Sequence, residues 1–162
     1  LLENFQSKEK LISFYDNSIY FKLYRSGFSV FKNYPLFGVG NKNYRTETCH
    51  DSEKYSINYL CSTHPHQIYI EFLSEHGLIG SLIIMSVFFY LIFKLLGQII
   101  KSRNYIQIGS FTYLIIVFLP ILPGGSFFSD FNLTLFWINF STLYASNKET
   151  NIFTTSNNNR IK

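Results

Sequence analysis

Charge is what this 162-residue chain has least of. Charged residues make up 15% of it, against roughly 25% in an average soluble domain. The deficit is concentrated between Gly77 and Ser146. The net charge of +4 is small and scattered, and no basic run carries interleaved aromatics. That excludes a nucleic-acid groove, which needs a concentrated basic footprint. Methionine is nearly missing: the chain starts at Leu1 and holds only Met85, so it is expected to be a piece of something longer. Its N-terminus shows no basic start, short apolar run and small-residue cleavage site, the pattern of a signal peptide. Cysteine occurs twice, at Cys49 and Cys61. Cysteines paired two to four residues apart, as common zinc sites use them, are missing. Gly38-Val39-Gly40 has two glycines but not the strand and helix that frame a dinucleotide fingerprint.

Aromatic side chains, by contrast, are 19% of the chain. Tyr20, Tyr24, Gly27, Phe28 and Phe31 recur at three- and four-residue steps, which predicts a helix from Asp16 or Asn17 to Tyr34. Lys22, Arg25, Ser29 and Lys32 share its other face. Pro35 ends it, because the residue before a proline is pushed out of the helical region. Phe37 to Asn41 reads as a turn, and Asn41 to Ser62 as an irregular excursion. A further helix is expected to start near Thr63 to Pro65, capped by Thr63 or His64. It turns Tyr69, Ile70, Phe72 and Leu73 inward and leaves Glu71 and Glu75 on a wetter side.

Beyond that helix the chain reads as membrane-embedded. Residues 77–100, 105–122 and 128–145 are three candidate spans, the third diluted by Asn132, Thr134 and Asn139. A soluble fold would have to hide two near-continuous apolar runs of spanning length. Lys94, Lys101 and Arg103 lie between the first two spans, and Lys148, Arg160 and Lys162 follow the third. The positive-inside rule turns both sets to the cytoplasm. Residues 1–76 then form an extracytoplasmic loop domain, with the Pro123–Asp130 hairpin on the same side. Residues 146–162 are expected to be a disordered cytoplasmic tail. The expected fold is all-α: a polytopic membrane protein fragment with a helical periplasmic loop before three transmembrane helices.

Thr63-His64-Pro65-His66-Gln67, just ahead of the first span, is where chemistry is expected. In the first turn of a helix, free N–H groups favour an anion and keep His66 neutral and base-competent. A histidine that merely caps the helix fits the same spacing, and His64 fits a scaffold role. Arg25 offers the fork-shaped cation suited to phosphate oxygens, or a solvated face shared with Lys22 and Lys32. Arg45 has similar standing. Cys49 and Cys61 fit a disulfide, which would stabilise the chain by roughly 3 kcal/mol. Free thiols, or a metal site with His50, His64 and His66, are the alternatives.

His66-Gln67, nine further residues and Gly77-Leu78-Ile79-Gly80 resemble the signature of the bacterial O-antigen ligase and polymerase family. Arg25 and Asn33-Tyr34-Pro35-Leu36-Phe37-Gly38-Val39-Gly40 resemble that family's arginine and turn, and Pro123-Gly124-Gly125-Ser126-Phe127-Phe128 the segment before its closing helix. Gln67 stands where asparagine is commoner. The resemblance implies the C-terminal part of a polytopic glycosyltransferase of the bacterial inner membrane, metal-independent, inverting and without a cofactor. Such an enzyme moves a glycan from undecaprenyl diphosphate to a sugar hydroxyl of lipid A-core or of a second lipid-linked glycan. It implies that Arg25 binds the diphosphate and that His66 positions or deprotonates the acceptor. Arg45, His64 and Gln67 become candidate substrate contacts. The competing expectation is a non-enzymatic membrane protein such as a polysaccharide transporter subunit, which would carry charged or broken-helix features mid-span.

Overall fold

A computed structural model describes residues 17–49, 59–120, 123–148 and 150. Asp16, His50, the middle of the expected irregular excursion and the tail from 151 lie outside the described residues. Among the described residues six helices follow in order: α1 (Ile19–Asn33), α2 (Tyr44–Cys49), α3 (Ile68–Lys94), α4 (Leu96–Ser102), α5 (Tyr105–Val117) and α6 (Asp130–Ala145). They belong to two compact units, one drawn from residues up to 84 with 120–129, the other from 85–119 with 130 onward.

In the first unit α1 begins after Ser18, whose backbone is extended, and ends where Tyr34 leaves the helical region ahead of Pro35. Leu23, Ser26, Gly27 and Val30 form its buried face. Gly27 lies so close to Pro65 and Ile70 that a methyl group there would overlap both. The Ser26 hydroxyl accepts from the Tyr44 hydroxyl at 2.9 Å and from the Leu60 amide at 3.0 Å. That one hydroxyl ties α1 to α2 and to the chain entering α3. Burial pushes the Tyr44 phenol up to about 12, so it stays a donor.

The main structural event is a break inside α3. At Gly77 the backbone takes φ 63° and ψ −171°, outside the helical region. Four groups of the helical ladder thereby lose their i→i+4 partners: the carbonyls of Ser74 and Glu75 and the amides of Leu78 and Ile79. The turn after Pro35 supplies all four replacements. Val39 and Gly40 donate to Ser74 and Glu75 at 3.0 and 2.8 Å, while Leu78 and Ile79 donate to Pro35 and Leu36 at 2.8 and 3.2 Å. The two backbones meet without room for side chains. A methyl on Gly38 would overlap the Glu75 carbonyl, and one on Gly77 the Leu36 carbonyl. Both glycines also sit at positive φ, which L side chains adopt at a cost.

The second unit is an apolar helical assembly in which α5 packs on α6. Ile92, Leu95, Ile99, Leu114, Phe118, Phe136 and Leu143 are buried there. Phe88, Phe118 and Phe136 meet ring to ring, and the Tyr144 hydroxyl donates to the Leu91 carbonyl at 2.8 Å.

Among the described residues one helix is long and apolar enough to cross a membrane, Ile68–Ser102 with 35 residues. It is free of charge from Gly77 to Phe93, and we take the spanning segment to begin at Gly77. Leu78, Leu82, Ile83, Val87 and Tyr90 are exposed along it, as a lipid-facing helix requires. Three spans are not shown. The α5 helix has 13 residues and α6 has 16, which is about 20 and 24 Å of rise against a hydrocarbon core of about 30 Å. The α5 helix ends at Val117, ahead of Pro120.

Gly77→Ala or Gly38→Ala is expected to cost about 2 kcal/mol or more, from positive φ plus backbone overlap. Gly109→Ala, where a methyl meets open space, is expected to be neutral or slightly stabilising. Thermal unfolding of the three detergent-purified variants checks both expectations.

Candidate functional site

The expected start of α3 is corrected by the structure. The helix begins at Ile68, so neither Thr63 nor His64 caps it and His66 does not lie in its first turn. Gln67 is the cap: its carbonyl accepts from the Glu71 amide at 2.9 Å and its Oε1 from the Ile70 amide at 2.7 Å. Its Nε2 donates to the Pro120 carbonyl at 3.4 Å. Both ends of the Gln67 amide are thus engaged within the fold.

His66 stands just outside this cap with φ 58°, a left-handed conformation uncommon for a side chain with a Cβ. Gly124 holds it there from both sides. The Gly124 amide donates to the His66 carbonyl at 3.1 Å, and His66 Nδ1 lies 3.2 Å from the Gly124 carbonyl. A carbonyl only accepts, so Nδ1 carries the hydrogen, and in the neutral ring Nε2 keeps the lone pair. The tautomer follows from this contact rather than from a helix end. The half-buried imidazole also meets the edge of Tyr20 at 6.0 Å and the His64 ring at 3.9 Å. Burial holds His64 below the usual histidine range, the His66 ring lowers it further, and the Gly124 carbonyl partly offsets both. Its Nδ1 is 2.9 Å from the Thr63 hydroxyl, and its Nε2 is buried with no hydrogen-bond partner among the described residues.

Arg25 and Arg45 are both exposed, on α1 and α2. Arg25 is five residues past Tyr20, about 140° further around α1. From α1 the structure therefore brings the Tyr20 ring to His66 and leaves Arg25 on the open side. Cys49 and Cys61 are joined by a disulfide with a Cα–Cα distance of 4.5 Å, which ties the end of α2 to the chain that enters the His64–His66 segment. No group of three or more His, Cys, Asp or Glu that could hold a metal occurs among the described residues.

The wetter side expected for Glu71 and Glu75 is the second correction. They are 1% and 2% exposed. Glu71 accepts from the Ser126 hydroxyl and from the Phe127 amide at 2.9 Å, and from the Phe128 amide. Glu75 accepts from the Lys42 amide at 3.0 Å and from the Tyr44 amide. Each carboxylate ties the outer part of α3 to a distant loop. Phe72 packs between Phe127 and Phe128 on the same return segment. Burial pushes Glu71 up, against its hydrogen bonds. Burial and then the charge of Glu71 push Glu75 up to about 7, against the opposing N–H groups. One signal was readable in the sequence: an exposed Glu pair at i and i+4 with no basic neighbour on its helix would repel itself.

The described residues thus combine a helix long and apolar enough to cross a bilayer with a preceding helical unit in which main-chain groups orient the His66 ring. Over residues 13–85, a little under half of the chain, it matches the family model described as O-antigen ligase. The motifs around Pro35–Gly40 and His66–Gly80 both fall within the match, as their resemblance implied. Ligase- or polymerase-type function on lipid-linked glycans goes with that family. No curated protein and no solved structure gives a match.

Glu75 contributes a definite pH dependence. Its folded pKa lies near 7 and its ordinary value near 4.5, so between those values the folded state holds the extra proton. Stability from this group therefore falls as pH rises from about 4.5 to about 7 and levels off above. His64, with its lowered pKa, pulls the other way. The difference between wild type and Glu75→Gln isolates the effect. It is expected to swing by on the order of 2 kcal/mol between pH 5 and pH 8, read from thermal unfolding at each pH.

Proposed function

We propose that this chain carries part of the active site of a membrane glycosyltransferase. The enzyme moves a glycan from undecaprenyl diphosphate to a sugar hydroxyl in surface-polysaccharide assembly, as ligase or polymerase. His66 is the general base. The acceptor oxygen attacks the anomeric carbon from the face opposite the leaving group and its proton passes to His66 Nε2. The bond from that carbon to the diphosphate oxygen breaks with inversion. Arg25 neutralises the charge that develops on the departing lipid diphosphate, with Arg45 as a second phosphate contact. His64, neutral by burial, stacks on His66 and removes a competing positive charge from beside the base. Gln67 fixes the direction in which α3 leaves the site.

The observation that carries this reading is the pairing of His66 with Gly124. It supplies the acceptor-only contact that leaves Nε2 basic, and it holds the residue in a conformation that costs of order 1 kcal/mol or more. Strain kept at one histidine beside the start of a spanning helix is accounted for by a task at that histidine. The reading places residues 1–76 on the periplasmic side of the bacterial inner membrane, residues 77–145 in three spans and the tail from 146 in the cytoplasm. The basic residues that follow the apolar helices support that orientation.

In the full-length protein, His66→Ala is expected to lower glycan transfer by about 10²- to 10⁴-fold. Arg25→Ala is expected to reduce it comparably, with insertion unchanged. Long-chain surface glycan at wild-type length in both variants, at normal protein levels, contradicts the assignment and favours a transporter subunit instead.

A further inference from the structure

Far along the chain from His66, the second unit builds a basic pocket from the ends of three helices. The α4 helix stops at Ser102, with Arg103 in the left-handed conformation as its cap. Asn104 then starts α5, its Oδ1 accepting from the Ile106 and Gln107 amides. The Asn104 Nδ2 donates to the Ser146 carbonyl at 2.8 Å. Gln107, fully buried, donates to the Leu143 carbonyl at 2.9 Å and to Thr150 Oγ1 at 3.1 Å. Its Oε1 accepts from the Ser102 hydroxyl at 3.2 Å. These bonds lock the turn between α4 and α5 onto the end of α6.

The frame borders an open pocket of about 640 Å³ lined by Lys101, Lys148, Gln98 and Asn147 beside the Asn104–Ser146 bond. That is within the roughly 300–1,000 Å³ of small-molecule sites. Among the described residues, both charged side chains that line it are lysines. The Ser146 hydroxyl is buried there with no hydrogen-bond partner among the described residues. A buried hydroxyl left unsatisfied costs about 1–3 kcal/mol. Two ammonium groups and the amide side chains of Gln98 and Asn147 are complementary to the oxygens of a phosphate.

We propose that this pocket binds a phosphate group, and that its position points to the headgroup of an anionic phospholipid. Lys101 lies at the end of the longest apolar helix among the described residues and Lys148 three residues past the end of α6, so both reach headgroup level while their stems cover apolar surface. Bound there, the phosphate bridges the segments joined by Asn104 and Ser146 and fixes the basic ends of the apolar helices at the membrane surface.

The test is a thermal-shift titration of the full-length protein in neutral detergent. Mixed micelles of phosphatidylglycerol, mixed micelles of phosphatidylcholine, and inorganic phosphate alone are compared. Phosphatidylglycerol is expected to raise Tm by about 3 °C or more, and phosphatidylcholine not to. In the double variant Lys101→Gln/Lys148→Gln the half-effective concentration rises about tenfold, whereas Lys101→Arg/Lys148→Arg keeps it. Lys22→Gln/Lys32→Gln, which removes the same two charges from α1, leaves the response intact and separates a site from general attraction. A response to phosphatidylglycerol alone identifies the lipid as the source; an equal response to inorganic phosphate keeps the site and identifies free phosphate. Equal shifts with phosphatidylcholine, or an unchanged titration in the Gln variant with unaltered starting Tm, overturn the proposal.

Discussion

The first unit depends on one exchange of backbone hydrogen bonds. A helix broken at Gly77 strands two carbonyls and two amides, and each buried polar group without a partner costs about 1–3 kcal/mol. The turn at Leu36 to Gly40 presents two amides and two carbonyls at matching positions. Glycine stands at 38 and 77 because the two chains touch backbone to backbone. Neither segment is satisfied by itself, so each requires the other. That mutual need converts two weak local features, a glycine turn and a helix kink, into a fixed junction where the loop domain meets the start of the apolar helix.

The rest of the candidate site is hung from this junction. Glu75 reaches from the break to the amides that follow the turn, and Glu71, one helical turn earlier, holds the return segment at Ser126 to Phe128. The same return segment supplies Gly124 to His66. A chain of backbone and carboxylate contacts thus runs from Pro35 through α3 to Gly124. The imidazole at its end is oriented by main-chain groups, which side-chain motion does not disturb. The catalytic reading assigned to His66 relies on that rigidity, since a general base works only when its lone pair is held toward the proton it takes. The disulfide performs a comparable service on the other flank by fixing the chain that enters the His64–His66 segment.

Much of this was legible where the cause is local. Pro35 stops α1, Gly38 and Gly40 make a turn, and the apolar run beyond Gly77 makes a long helix, each from chemistry within a few residues. The family motifs were legible too, although their reason is not local: the spacing between Pro35–Gly40 and Gly77 reflects a contact across forty residues of chain. Features that depend on distant partners leave little local trace in the sequence. Glu71 and Glu75 looked wet because their N–H donors come from residues 42–44 and 126–128. The start of α3 was placed too early because proline is welcome in a first turn, while nothing local announces that Gly124 pulls His66 out of the helix. The two later apolar stretches form helices of 13 and 16 residues, so their reading as spans rests on composition.

The junction itself can be observed directly by amide hydrogen exchange on the purified protein. If the two backbones satisfy each other, the amides of Val39, Gly40, Leu78 and Ile79 are all strongly protected. They then lose protection together, with one opening free energy, as denaturant is added. Val39 and Gly40 exchanging at the rate of an open loop, while Leu78 and Ile79 stay protected like ordinary helical amides, would contradict the exchange at Gly77 and remove the support on which the position of His66 rests.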